Sequence, residues 1–417
     1  MKFMKNLFGD SITNSASDFA RLELPKELLQ AIDELGFSDC TPVQKEVLPE
    51  SIDGSDIIAQ AQTGTGKTAA FLISMITYHI ENPELNDRNP GTPFALIIAP
   101  TRELVMQIAG DAEKLSIHTE ISITPVVGGI DYEKQKQRMQ TNVDIVVATP
   151  GRLLDFCRSN IIDLSKVESL VIDEADRMLS MGFIPDVKNI IRRTPHKEFR
   201  QTQLFSATLS EDIQRLAATW TLNPFLVHVK PEEVAVESVT QQVYLTSEND
   251  KFKVLYNLLN STEVTKAIIF VNRRDQTRDL EDTLYRYNIN TGLLNGDVPQ
   301  RRRIRTLDQF KSGAIKVLVA TDVAGRGIHV DDISHVINFN LPEDPEDYVH
   351  RIGRTGRAGA KGTSISLVCE NDVFMLPAIE TLLGQNIISM QPEEKLLLAL
   401  PKPNRRRGKV TTAKRKY

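Results

Sequence analysis

The sequence predicts an α/β protein of two tandem parallel-sheet domains followed by a short basic C-terminal tail. Three observations carry this expectation. Short apolar runs alternate with helix-length stretches along nearly the whole chain. The alternation breaks once, at Lys230-Pro231-Glu232-Glu233, and then resumes. The final residues are strongly basic. Strands alternating with helices lie parallel in one sheet, and the helices cover both of its faces.

The elements follow in order. Asp56-Ile57-Ile58-Ala59 reads as the first strand, and Ala69-Ala70-Phe71-Leu72-Ile73 as the helix after it. Ala95-Leu96-Ile97-Ile98-Ala99, Ile123 to Val127, Asp144-Ile145-Val146-Val147-Ala148, Leu170 to Ile172 and Gln203-Leu204-Phe205 continue the first series. A second begins near Val243. It runs through Ala267 to Val271, Gly292-Leu293-Leu294, Lys316 to Ala320, Val336 to Phe339 and Thr363 to Leu367. No direct sequence repeat relates the two. The expected boundaries are an N-terminal extension over 1–18, a first domain over 19–230 and a linker over 231–240. A second domain follows over 241–395, then the tail over 396–417.

Composition limits the function classes. A chain of 417 residues suits two or three domains. The net charge is −5, which excludes a uniformly basic nucleic-acid binder. Residues 402–417 hold eight cations and no acid, so the rest of the chain carries −13. One Trp and few aromatics argue against a platform that stacks single-stranded bases. Cys40, Cys157 and Cys369 lack metal-binding spacing, so reduced thiols and no zinc site are expected. No apolar stretch approaches membrane-spanning length, and Met1-Lys2-Phe3-Met4-Lys5 leads into polar sequence. A cytoplasmic enzyme fits.

Two segments carry the chemistry. Ala61-Gln62-Thr63-Gly64-Thr65-Gly66-Lys67-Thr68 lies between the first strand and its helix. Strand, glycine-rich turn, Lys-Thr and helix are the context a phosphate-binding loop requires. Glycines let backbone amides turn inward around phosphate oxygens, at the positive end of the helix. Lys67 would reach the β- and γ-phosphates of a bound nucleotide, and Thr68 would place its hydroxyl on Mg²⁺. Ala61 stands where the general pattern has a glycine. The bland alternative is a tight turn with a chance Lys-Thr. The second segment is Val171-Ile172-Asp173-Glu174-Ala175-Asp176, a strand ending in three carboxylates. Carboxylates there are costly unless they hold a metal or move a proton. The alternative is an acidic strand-end turn.

Other polar sequences fall at expected strand carboxyl ends. These are Pro100-Thr101-Arg102-Glu103-Leu104, Thr149-Pro150-Gly151-Arg152, Ser206-Ala207-Thr208 and Thr321-Asp322. Active centres of open parallel sheets sit at that edge. His350-Arg351-Ile352-Gly353-Arg354-Thr355-Gly356-Arg357 places arginines at three-residue spacing among glycines. Glycines are unfavourable in a helix, so a merely solvated helical face does not account for them. Arginines facing a phosphate, or a basic surface turn, do.

Together these segments, in this order, resemble the DEAD-box RNA helicase family over about Phe19 to Ser389. Gly36-Phe37 through Thr41, Pro42 and Gln44, with Phe19 upstream, resembles the Q motif. The resemblance implies two RecA-like domains, ATP and Mg²⁺. It further implies that Thr41 and Gln44 read adenine, with Phe19 packed on the ring. Ala61, Gln62, Thr63, Gly64, Thr65, Gly66, Lys67 and Thr68 would hold the phosphates. Thr68 and Asp173 would hold the metal. Glu174 would orient and deprotonate water. Asp176, Ser206 and Thr208 would couple hydrolysis to strand separation. Arg354 and Arg357 would arrive from the second domain as arginine fingers.

RNA contacts are implied at Pro100, Thr101, Arg102, Gly128, Gly129, Thr149 and Arg152, and in the second domain at Gln300, Arg303 and Thr321. Small, hydroxyl and arginine groups suit phosphate and ribose, so binding would be largely independent of sequence. Arg301 and Arg305 read instead as a solvated helix face. The chain departs from the family pattern at His329, where an Asp contacts the ribose, at Cys40 and at Asn295. The basic tail adds RNA affinity or merely solubilises the end. Leu376 to Thr381 and Leu400-Pro401-Lys402-Pro403 resemble a bacterial branch of the family, which implies an endoribonuclease partner in RNA degradation. A DNA translocase and an RNA clamp are the rival readings.

Overall fold

Branched apolar runs dictate the architecture. In the computed structural model of the protein, the residues described are 18–404 except 63, 87, 230–238, 262, 326–329, 331 and 357–361. Thr63, Arg357, His329, most of the linker and the tail from 405 therefore lie outside the described residues. Among those described, β1 is Ile57–Gln60, β2 Ala95–Ile98, β3 Ile123–Val126, β4 Ile145–Ala148, β5 Ser169–Ile172, β6 Gln201–Ser206 and β7 Phe225–His228. They form one parallel sheet in the order β3-β4-β2-β5-β6-β1-β7. The second sheet contains β8 Val239–Leu245, β9 Ala267–Phe270, β10 Thr291–Leu294, β11 Val317–Ala320, β12 His335–Asn338, β13 Gly362–Val368 and β14 Ile388–Met390. Its order is β10-β11-β9-β12-β13-β8-β14. Strand for strand this is the topology of the first sheet, so a structural repeat exists where the sequence shows none.

Side chains alternate across each strand, and this splits the core cleanly. Ala95, Ile97, Ile145 and Val147 pack on one face of the first sheet. Leu96, Ile98, Val146 and Ala148 pack on the other. The second sheet does the same, with Ile269 and Val319 on one side and Ile268 and Leu318 on the other. β2, β4, β5, β9, β11 and β12 are buried along their whole length. That explains why β2, β4, β9 and β11 read as unbroken apolar runs.

Two expectations are corrected at the edges. Val239 and Thr240, expected in the linker, already belong to β8, which pairs with β13 along its full length. The tail expected from 396 begins folded on the second domain. Leu396 is buried there, and Asn257 donates to the carbonyls of Leu396 and Leu398 at 3.0 Å each. The Asn404 amide also donates to Arg286 O at 2.8 Å. No helix among the described residues is long and apolar enough to cross a membrane.

The sheet order positions the site. In the first sheet, the loops leaving β3, β4 and β2 adjoin one another, and those leaving β5, β6 and β1 adjoin on the other side. The first-domain residues expected at RNA all follow the first trio. The residues expected at nucleotide phosphate and metal all follow the second.

Candidate active site between the two sheets

The loop after β1 is built for an anion. Gly64 and Gly66 adopt φ of 91° and 94°, a region that disfavours other residues. A Cβ on Gly66 would lie 2.6 Å from Gln44 Nε2 and 2.8 Å from Thr41 Oγ1. The helix Lys67–Glu81 starts at once, presenting its N-terminal amides. Lys67 is buried, and its Nζ donates to Ala61 O at 2.7 Å, folded back over the loop. Thr65 Oγ1 donates to Gln62 O at 2.9 Å, and Thr68 sits half-exposed in the first helical turn. The arrangement fits a triphosphate.

Gln44 ties the neighbouring helix Pro42–Ile52 to this loop. Its Oε1 accepts from Thr41 N at 2.9 Å, and its Nε2 donates to Gly66 O at 3.1 Å. Thr41 and Gln44 thus touch the phosphate loop directly. Phe19 is different. It is fully buried in the first-domain core. Its burial anchors the segment leading to the Q motif.

Asp173 and Glu174 leave β5 side by side, both buried. Burial raises Asp173 to about 6; Lys67 opposes this, and the adjacent Glu174 adds to it. Burial would raise Glu174 as well, but Arg177, Lys67 and Arg354 outweigh it and hold the carboxyl at about 2. Of the two carboxylates, Glu174 is the one with an arginine against it, Arg177 Nη1 at 2.7 Å. No cluster of three or more His, Cys, Asp or Glu suits a metal among the described residues. Mg²⁺ needs none, because it keeps several waters and uses one or two protein ligands with substrate phosphates. Asp173 and the Thr68 hydroxyl fit that role.

Asp176 joins β5 to β6. Its Oδ2 accepts from the amides of Ala207 and Thr208 at 3.0 Å each and from Thr208 Oγ1 at 3.3 Å. Its own amide donates to Ser206 Oγ at 3.1 Å. The three residues expected to couple form one connected network.

On the other side of the sheet, Thr101 caps the helix Arg102–Leu115 by accepting from Leu104 N. Pro100 precedes it, buried. The Arg102 guanidinium lies against Gly128 and Gly129, where a Cβ on Gly129 would strike it. Thr149 precedes the helix Pro150–Arg158, and Arg152 stacks 5.2 Å from the Tyr132 ring centroid. Gln300, Arg303 and Thr321 approach from the second domain, all buried. Arg303 is held by protein groups. Its Nε donates to Glu103 at 2.8 Å, Nη1 to Asn295 O at 3.1 Å and Nη2 to Ala324 O at 3.5 Å. Every guanidinium nitrogen is engaged within the protein. Gln300 Nε2 also reaches Glu103 at 3.4 Å.

Glu103 is thus a domain-bridging residue that sequence reasoning missed, since nothing local announces a partner two hundred residues on. The Glu103–Arg303 pair is about one-tenth exposed on both sides. Truncating one partner of such a pair costs roughly 2–5 kcal/mol. Glu103→Ala is expected to weaken RNA binding at saturating non-hydrolysable ATP analogue by at least about tenfold, while analogue binding without RNA stays unchanged. Fluorescence anisotropy with labelled RNA checks this, and unaltered RNA affinity would remove the pair from closure.

Comparison with known proteins agrees with this geometry. A family model described as DEAD/DEAH box helicase matches residues 41–216, and one described as helicase conserved C-terminal domain matches 250–359. The ATP-dependent RNA helicase RhlB of Pseudomonas putida is 54% identical over 385 residues, covering 92% of this chain and 97% of that protein. RhlB of Shewanella frigidimarina is 44% identical, covering 96% and 92%. Among solved structures, S. cerevisiae Dbp5 bound to RNA and ADP BeF3 superposes with a TM-score of 0.81 at 32% identity, covering 91% of this chain and 97% of that one. Mss116p bound to ssRNA and AMP-PNP gives 0.81 at 29% identity, covering 93% and 82%.

Proposed function

Because the chain belongs to the DEAD-box helicase family, we propose that it is an ATP-dependent RNA helicase whose two domains close jointly on nucleotide and single-stranded RNA. One observation carries the reading. Glu103 of the first domain and Arg303 of the second meet in an ion pair at 2.8 Å, so the two domains contact each other at a site whose candidate residues come from both. Such a site works only when closed.

Phosphate transfer to water needs positioning and charge neutralisation more than covalent chemistry. The loop after β1 and Lys67 would hold the β- and γ-phosphates. Glu174 would orient the attacking water and take its proton. Arg354, with Arg357, would offset the charge that develops on the phosphoryl oxygens. Mg²⁺ held by Asp173 and Thr68 supplies further neutralisation when bound. Hydrolysis changes the contacts of the loop after β1, which hydrogen-bonds β6 through Ala61 N and Ser206 O at 2.9 Å. The Asp176–Ser206–Thr208 network transmits that change along the sheet edge.

RNA would cross the loops after β3, β4 and β2. The groups there suit the sugar–phosphate backbone, which makes binding sequence-independent and lets 2′-hydroxyls favour RNA. A closed cleft that fits bent single strand rather than A-form duplex separates short duplexes locally. The resemblance to the bacterial branch supports a role in RNA degradation, in the cytoplasm and beside an endoribonuclease. Steady-state ATPase rates with RNA, with DNA and with neither test the reading. RNA should stimulate hydrolysis strongly and DNA should not. Equal rates would defeat it, and equal stimulation by DNA would favour a DNA translocase. Slow turnover with long-lived RNA complexes would favour a clamp.

A further inference from the structure

We propose that Arg177 is a positioning residue for hydrolysis: its guanidinium pins one oxygen of Glu174 and leaves the other to hold the water. The proposal rests on Glu174 serving as the base. Arg177 Nη1 lies 2.7 Å from Glu174 Oε2, with the two side chains 3% and 6% exposed. The backbone reinforces the pairing, since Arg177 N and Met178 N both donate to Glu174 O at 3.1 Å. Glu174 itself adopts φ 53° and ψ 54°, a left-handed conformation that a non-glycine residue holds only at a cost.

The rest of the guanidinium is what separates function from stability. Arg177 Nε and Nη2 are buried and have no hydrogen-bond partner among the described residues. A buried cation with donors left over is a poor stabiliser, and an apolar side chain of similar volume is often as good or better. Keeping such a cation against the base therefore points to the reaction. Lys67 and Arg354 also act on Glu174, but one belongs to the phosphate loop and the other to the second domain. Arg177 shares the start of the helix Ala175–Ser180 with Glu174, so it aligns the carboxylate in open and closed states alike.

Arg177→Met in the full-length protein tests this. Its kcat for RNA-stimulated ATP hydrolysis should fall about 10- to 100-fold, the scale of a misplaced catalytic group. KM for ATP, affinity for a fluorescent ATP analogue and Tm should stay as in the parent. Arg177→Lys should recover part of the loss. In single-turnover reactions, Glu174→Gln/Arg177→Met should be no slower than Glu174→Gln alone. Unchanged or increased kcat in Arg177→Met would overturn the proposal. So would the same additional loss in the Glu174→Gln background, or a fall in Tm with weakened analogue binding. If Arg177→Met does not fold, Arg177→Lys decides: lowered kcat at parental Tm supports positioning, and parental kcat refutes it. Full turnover by Glu174→Gln would instead defeat the assignment of the base, which is a separate failure.

Discussion

Replacing Arg354 by alanine should slow RNA-stimulated ATP hydrolysis by about 10³-fold or more, while ATP and RNA still bind. Arg354 follows the helix Pro345–Ile352 and is 1% exposed. Its Nε donates to His350 O at 3.1 Å, which fixes the stem. On the proposed mechanism the cation reaches the phosphoryl group only on closure, and a contribution confined to the reacting state raises kcat rather than affinity. Arg354→Lys should recover little, because an ammonium lacks the planar fork that spans two phosphoryl oxygens. Single-turnover hydrolysis at saturating ATP and RNA measures the effect, with Tm as the control for burial. A rate within tenfold of the parent at unchanged Tm would mean that the second domain does not complete the hydrolytic site.

Much of this site is legible in the sequence because its parts are local. Gly64, Gly66 and Lys67 sit within one turn, and the backbone geometry that glycine permits is the feature suited to a phosphate. Asp173, Glu174 and Asp176 follow a fully buried strand, so their burial follows from the run before them. The alternation of strands also reports two parallel sheets. What sequence reasoning lacked was distance. Strand order is set by crossovers, so the separation of the two sets of loops, after β3, β4 and β2 and after β5, β6 and β1, appears only in space. The Glu103–Arg303 bridge and the burial of Phe19 are tertiary for the same reason. β7 escaped notice because it is a short edge strand with one buried residue, and β14 because it has none. An edge strand keeps little of the apolar pattern that marks a central one.

The arginines at 351 and 354 show how the same local sequence serves two purposes. Arg351 donates from Nε and Nη2 to both oxygens of Asp322, at 2.6 and 2.7 Å. It also reaches Asn338 Oδ1, Asn340 O and Asn272 Oδ1 at 2.7–3.1 Å, and its guanidinium stacks 5.2 Å from the Phe270 ring centroid. Unlike Arg177, this cation has a partner at every nitrogen. It ties the loops after β9, β11 and β12 together beneath the cleft. Arg351→Ala should therefore destabilise the second domain by about 3–5 kcal/mol, because Asp322 and three acceptors lose their donor. The single tryptophan, Trp220, lies in the first domain and leaves an internal control. Far-UV circular dichroism should show part of the helix signal melting early, while Trp220 fluorescence keeps its parental transition. Adding Asp322→Leu to Arg351→Met should restore part of the loss by removing the stranded carboxylate. Coincident parental transitions for both probes in Arg351→Ala would show that the network contributes nothing to the second domain. Arg351 would then have to be counted with Arg354 as a residue of the hydrolytic site.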